Sequence, residues 1–218
     1  MDIEIVKPNE IEKRSFAIIT EELAEKGIVI PEEEAPVTKR VIHTSADFEY
    51  AETMTYSEQA IAVMQDLIRQ GADIVTDTNM AKSGISKGTL AKFGGEVHCF
   101  MADPDVAAEA KERGITRASV SMEKAARISK ETGKPIIFAI GNAPTALISL
   151  YDMWKEGSFK PAFIIGVPVG FVNVVASKEL ILETDIPHII NRGRKGGSNV
   201  AAAICNGVMY AMPNARDF

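Results

Sequence analysis

Apolar positions recur every three or four residues over the first third of the chain, then gather into short unbroken runs. In the first region Ile19 and Leu23, beside Phe16, form one apolar stripe, while Ile11, Ser15, Ile18 and Glu22 share a mixed face. This spacing predicts a helix that starts after Asn9, with Glu12 completing a capping box, and stops near Gly27. A second helix is expected from the PEEEAP segment toward His43. A third, over 57–70, has Ala60, Ile61, Met64, Leu67 and Ile68 at helical spacing and Gly71 as its stop.

The later runs are β-branched and too short for helices. Residues 73–77 (DIVTD), 96–101 (EVHCFM), 135–140 (PIIFAI), 162–166 (AFIIG) and 187–191 (PHIIN) read as strands. They lack polar alternation, which suits strands buried on both faces. Helices are expected between them at about 103–113, 121–132 and 143–156, and a last one over 197–211. Alternating strands and helices imply parallel pairing through right-handed crossovers. The expected fold is therefore an α/β three-layer sandwich with a mostly parallel sheet of about five strands and a helical N-terminal segment. With no linker, repeat or low-complexity tract, residues 1–218 are expected to form a single domain.

Composition narrows the function classes. Hydrophobic content of 46% and charged content of 25% are those of an ordinary globular protein. A net charge of −6 argues against nucleic-acid binding, which usually shows a basic field. Cys99 and Cys205 lack metal-site spacing and read as free thiols in a reducing compartment. The N-terminus has charges where a signal peptide needs an apolar core. The longest uncharged stretch, 161–176, contains Pro168 and falls short of the roughly 18–20 residues of a membrane span. A cytoplasmic protein without membrane contact is expected.

Three phrases hold the candidate chemistry: HTSADFEYA at 43–51, AIGNAPTAL at 139–147 and GRKGGS at 193–198. The last two mark helix starts, where free backbone N–H groups gather and suit an anionic ligand. In parallel sheets such turns fall on the same edge, at the C-terminal ends of the strands, where ligands bind at a switch point; strand order, and with it their separation, is not written in the sequence. In GRKGGS, Gly196 and Gly197 permit close backbone approach, Ser198 can cap the helix, and Arg192, Arg194 and Lys195 add charge. A solvated basic turn accounts for the same residues equally well. The Ala201–Ala203 run behind it leaves room for a neighbour or a planar ligand. In AIGNAPTAL, good helix-start chemistry explains Gly141, Pro144 and a cap at Asn142 or Ala143, although Asn142 and Thr145 also offer hydrogen bonds to a ligand. His98 and His188 fall inside strands and read as structural. His43 stands beside Thr44, Ser45 and Asp47, one turn after Lys39 and Arg40. Neither G-x-G-x-x-G nor G-x-x-x-x-G-K-[ST] is present, and Pro168 makes Gly166–Gly170 a poor phosphate cradle.

The combination resembles the precorrin-8 and cobalt-precorrin-8 methylmutases nearly end to end, from RSFAII at 14–19 to GRKGGSNVAAA at 193–203, with IGNAPTAL at 140–147 and IGVPVGFV at 165–172 as the most specific phrases. The resemblance implies an α/β homodimer that binds a modified tetrapyrrole. Its activity would be an isomerase's, moving a methyl group from carbon 11 to carbon 12 of ring C in cobalamin biosynthesis, without a cofactor or protein-bound metal. It places the catalytic histidine at His43 and substrate contacts at Ser15 and Arg40. The basic turn, with Arg194, suits the carboxylates fringing such a macrocycle. A [1,5]-sigmatropic shift is expected, assisted by His43 as acid or hydrogen-bond donor to the ring C nitrogen, a role worth about 10²–10⁴-fold. Two alternatives are a nucleotide-dependent oxidoreductase with GRKGGS as its phosphate turn and a non-catalytic tetrapyrrole carrier. Nine methionines, including Met54, Met64, Met80, Met209 and Met212 near element ends, add modest support for a contact surface between subunits.

Overall fold

The computed structural model of the chain describes residues 3–213 and 215. A 3-10 turn, Pro8–Glu10, leads into α1 (Ile11–Glu25), followed by α2 (Ala35–Ser45), α3 (Tyr50–Thr53), β1 (Met54–Tyr56), α4 (Ala60–Arg69) and β2 (Asp73–Thr76). Next come α5 (Asn79–Gly84), α6 (Lys87–Ala91), β3 (Val97–His98), α7 (Pro104–Arg113), α8 (Arg117–Thr132) and β4 (Ile136–Ile140). The last elements are α9 (Pro144–Lys155), β5 (Phe163–Gly166), α10 (Val174–Leu182), β6 (His188–Asn191) and α11 (Ser198–Tyr210).

The strands form one sheet in the order β1-β6-β5-β4-β2-β3. All neighbours are parallel except β1, which runs antiparallel along β6 at the edge. Every residue of β2, β4, β5 and β6 is buried, as their unbroken apolar runs predict. One face carries a core of Val37, Val41, Ile74, Ile137, Ile165 and Val208 under α2, α4 and α11. The other carries Phe138, Ile140, Leu147, Leu150, Ile164 and Ile181 under α8, α9 and α10. The expected three layers are present, with six strands among the described residues in place of about five.

The departures have local causes. Among the described residues Asn9 caps nothing: α1 follows the 3-10 turn, its N-cap position is Glu10, and Glu12 pairs with Arg40. Helix α8 opens at Arg117, where the Thr116 hydroxyl accepts from the Ser119 amide at 3.1 Å, so Ser121 lies inside it and is buried. β1 has three half-buried residues and no apolar run to announce it. Helices α5 and α6 are too short for a period to show, and α10 is apolar around most of its circumference. No helix among the described residues is long and apolar enough to cross a membrane.

Candidate active site

Chain crossovers leave β2 toward β3 on one side and β4 toward β5 on the other. The switch point therefore lies between the C-terminal ends of β2 and β4, where Asp77 meets Gly141–Ala143. Asp77 fills it. Its Oδ1 accepts from the Gly141 amide at 2.9 Å, and its Oδ2 accepts from Asn142 and Ala143 at 2.8 and 2.6 Å. Burial pushes this carboxyl up from its ordinary value, opposed by the three amides. The expectation that AIGNAPTAL offers free N–H groups to an anion is thus corrected: the protein supplies the anion itself, and none of those three groups is left for a phosphate. Ala143 takes the cap position. The Asn142 side chain is exposed, whereas Thr145 bonds Thr116 at 2.8 Å and lines a groove of about 550 Å³ between α8 and α9, on the opposite face of the sheet from His43.

The GRKGGS turn presses against its neighbours as two glycines allow. A Cβ at Gly141 would lie 2.7 Å from Ser198 Cα, and one at Gly196 only 2.0 Å from the Val167 carbonyl oxygen. The two phrases are therefore in contact at the sheet edge they were expected to share, a closeness that strand order decides. Ser198 does not cap α11. Gly197 occupies that position, and the Ser198 hydroxyl pairs with that of Thr78 at 2.7 Å. The alanine run receives a neighbour, not a ligand: Ala201–Ala203 are buried, and Ala202 packs on Gly84.

The cations of this turn differ in their commitments. Lys195 reaches Asp47 at 2.5 Å and Glu49 at 2.8 Å, holding the Asp47 carboxyl below its ordinary range and tying the turn to the segment after His43. Arg192 lies 3.6 Å from Glu179. Arg194 is exposed and lies over the Phe171 ring at 5.2 Å, beside the exposed Val169 and Val172. Beneath them Lys178 is fully buried, and its ammonium donates to the carbonyls of Gly193 and Lys195 at 2.8 and 2.9 Å. Burial lowers its pKa to about 8.

His43 stands exposed in the last turn of α2, its imidazole stacked on Phe16 of α1 with ring centroids 5.6 Å apart. One turn earlier, the Arg40 guanidinium lies between Phe16 and Tyr210, 5.3 and 4.9 Å from their ring centres, and donates to Glu12 at 2.6 Å. A guanidinium has five N–H donors, so this bond leaves most of the fork for a second carboxylate. A cleft of about 880 Å³ opens here, lined by Glu12, Lys13, Phe16, Lys39, Arg40 and Tyr210, a size suited to a large ligand. The Ser15 hydroxyl donates to the Ile11 carbonyl of its own helix at 3.0 Å.

The α1–α2 pair thus brings His43 and Arg40 together, and the Lys195 ion pairs connect this region to Gly196, Gly197 and Arg194. Glu12, Phe16, Tyr210, Asp77 and Lys178 were not among the site residues expected from the sequence. A carboxylate directly after a buried strand was the available sign for Asp77. Ion-pair and ring partners separated by 24 to 170 positions left no local signature. The methionine argument fails for Met64, Met209 and Met212, which are buried, while Met80 is exposed.

The family profile described as Precorrin-8X methylmutase matches residues 10–211. A cobalt-precorrin-8 methylmutase of Priestia megaterium is 45% identical over 203 residues, covering 93% of this chain and 88% of that protein. A precorrin-8X methylmutase of Sinorhizobium is 36% identical over 200 residues, covering 91% and 92%. The crystal structure of precorrin-8x methyl mutase from Thermus thermophilus superimposes with a TM-score of 0.80 at 34% identity, covering 92% of this chain and 96% of that one.

Proposed function

The chain belongs to the precorrin-8X methylmutase family, an isomerase family, and from that premise we propose that it moves the methyl group on carbon 11 of ring C to carbon 12 in precorrin-8 or its cobalt complex, a step of cobalamin biosynthesis. The observation that carries the site assignment is the exposed His43 imidazole, braced by Phe16 and next to Arg40. His43 acts as the acid. A proton or hydrogen bond delivered to the ring C nitrogen draws electron density from the conjugated system and lowers the barrier to migration. The methyl group leaves carbon 11 and bonds carbon 12 within one molecule, so atoms and electrons balance without a redox partner. Cobalt, where present, belongs to the substrate.

Arg40, Ser15 and Arg194 hold the substrate periphery. Backbone at Gly196, Gly197 and Ser198 approaches it closely. Asn142 contributes a polar edge, and Thr145, on the far face, contributes only to a substrate that spans the sheet edge. Phe171 and Val172, each 79% exposed beside Arg194, favour a second subunit that helps cover the macrocycle in a homodimer. The buried thiols of Cys99 and Cys205 suit the cytoplasm.

The test of the mechanism is His43→Ala, with both substrate forms offered and the absorption spectrum followed. Turnover should fall by about 10²–10⁴-fold while the product still binds. Near-native turnover removes His43 as the acid, and lost binding in a folded variant makes it an anchor. Mixing His43→Ala with Arg194→Ala chains tests the shared site: regained activity supports it, and none in verified mixed dimers refutes it. A light-scattering mass that stays near the 23.6 kDa of one chain refutes the dimer.

A further inference from the structure

Among the described residues no carboxylate pairs with the buried Lys178, an arrangement that costs free energy. A methionine would fill much the same space without that cost. The ammonium does one thing an apolar side chain does not: it draws the carbonyls of Gly193 and Lys195 inward. Across a planar trans peptide the N–H of the next residue points the opposite way. No cis peptide is present among the described residues. The amides of Arg194 and Gly196 must therefore face away from Lys178. No acceptor among the described residues meets either amide. Asn191 reinforces the arrangement, donating to the Arg192 and Lys195 carbonyls at 3.1 and 2.9 Å.

We propose that Lys178 is a positioning residue for substrate binding: by holding two carbonyls inward it turns the Arg194 and Gly196 amides outward to receive a carboxylate of the macrocycle. The inference rests on the reading that the GRKGGS turn holds the substrate periphery. It assigns Lys178 no contact with the substrate.

The device has a pH signature. Burial lowers the Lys178 pKa to about 8 and is the whole cause. On its own helix Glu179 lies toward Arg192; in the turn Arg194 and Lys195 face Phe171 and the Asp47–Glu49 pair. Asp152 and Lys155 of α9 add nothing to the shift, and His188 of β6 sits at the far end of its strand. Above about pH 8 the lysine loses its proton; two N–H donors remain for the two carbonyls, but the charge that strengthens both hydrogen bonds is gone.

The test measures corrin product affinity and kcat from pH 6.5 to 9.5 (a range of roughly 1.5 pH units either side of the shifted value). In the native protein affinity should fall as pH rises through about 8. Lys178→Met should bind roughly tenfold more weakly at pH 7, the loss of about one charge-assisted hydrogen bond, and lose that pH dependence. Its kcat at saturation should stay native, and Lys178→Arg should restore part of the affinity. Native affinity in Lys178→Met, or a lowered kcat with unchanged affinity, overturns the proposal. A flat native affinity profile overturns it even if the variant does not fold. Arg194→Ala separates the two readings: weakened binding there with native binding in Lys178→Met leaves the substrate turn standing and removes the lysine's role, whereas native binding in both variants removes the turn itself.

Discussion

Two strand-to-helix turns lie in contact at one edge of the sheet, and in the sequence both read as helix starts with N–H groups to offer. At 141–143 three amides point inward and close on the buried Asp77 carboxylate. At 193–196 two carbonyls point inward and close on the buried Lys178 ammonium. The first turn is internally satisfied. The second presents cations and outward amides. The difference is the sign of one charge beneath each turn, supplied from another element: from 64 positions upstream at the first turn and from the preceding helix at the second. A glycine-marked helix start is a ligand site only where no such group has already filled it.

The largest effect expected from breaking this comparison is on Asp77. Asp77→Ala orphans three amides near a buried core, at about 1–3 kcal/mol for each group that water does not reach. A loss of about 3 kcal/mol or more should lower Tm by roughly 6–12 °C, measured by calorimetry, with formate or acetate restoring part of it. An unchanged Tm would mean the carboxylate is not what closes this turn.

Removing a cation from the open turn should act on binding instead. Arg194→Ala should weaken product affinity by roughly ten- to a hundredfold, or about 1.5–3 kcal/mol, and less at high salt. Arg40→Ala should match it, with Ser15→Ala milder because a neutral donor is lost. Unchanged affinity in both arginine variants, in a product titration, would dismiss the carboxylate grip.

A separate effect, on folding and not on binding, is the pH dependence of stability from Lys178. Its folded pKa of about 8 lies below the ordinary 10.5, so between these values the unfolded chain holds a proton that the folded chain has released. The destabilisation is complete below about pH 8 and is relieved as pH rises toward 10.5, by at most about 1.4 kcal/mol per pH unit. Denaturant titrations of native protein and Lys178→Met should diverge across that window. Parallel curves would show that the burial cost is absent.

The smallest effect belongs to the polar groups near the filled turn. Asn142→Ala and Thr145→Ala should change product affinity less than about threefold, below about 1 kcal/mol. A tenfold loss in either would return the filled turn to the binding site.

Local pattern was legible wherever burial is set by neighbours in the chain. The runs DIVTD, PIIFAI, AFIIG and PHIIN became β2, β4, β5 and β6 because a strand buried on both faces is mostly apolar, its few polar members (Asp73, Thr76, His188 and Asn191) being hydrogen-bonded. Ile19 and Leu23 point inward from α1 because helical period alone places them on one side. The short α5 and α6, the edge strand β1 and the largely apolar α10 escaped because none spans enough turns or alternations for a period to emerge. At the site, the cations of GRKGGS and the polar company of His43 were visible as residue types. Their commitments were not.

The sequence by itself determined the layered α/β architecture, the placing of the 139–147 and 193–198 phrases on the same sheet edge, and the family, because these follow from periodicity and from motifs contiguous in the chain; that the two phrases touch was decided by strand order. Only the tertiary structure decided which turn is open. Asp77 reaches Gly141 across 64 positions, Lys195 reaches Asp47 across 148, and Phe16 braces His43 from another helix. Such pairings arise when the sheet closes and its faces are covered. Whether a backbone amide is free or taken is then settled by packing, which brings a charge to it from elsewhere in the chain.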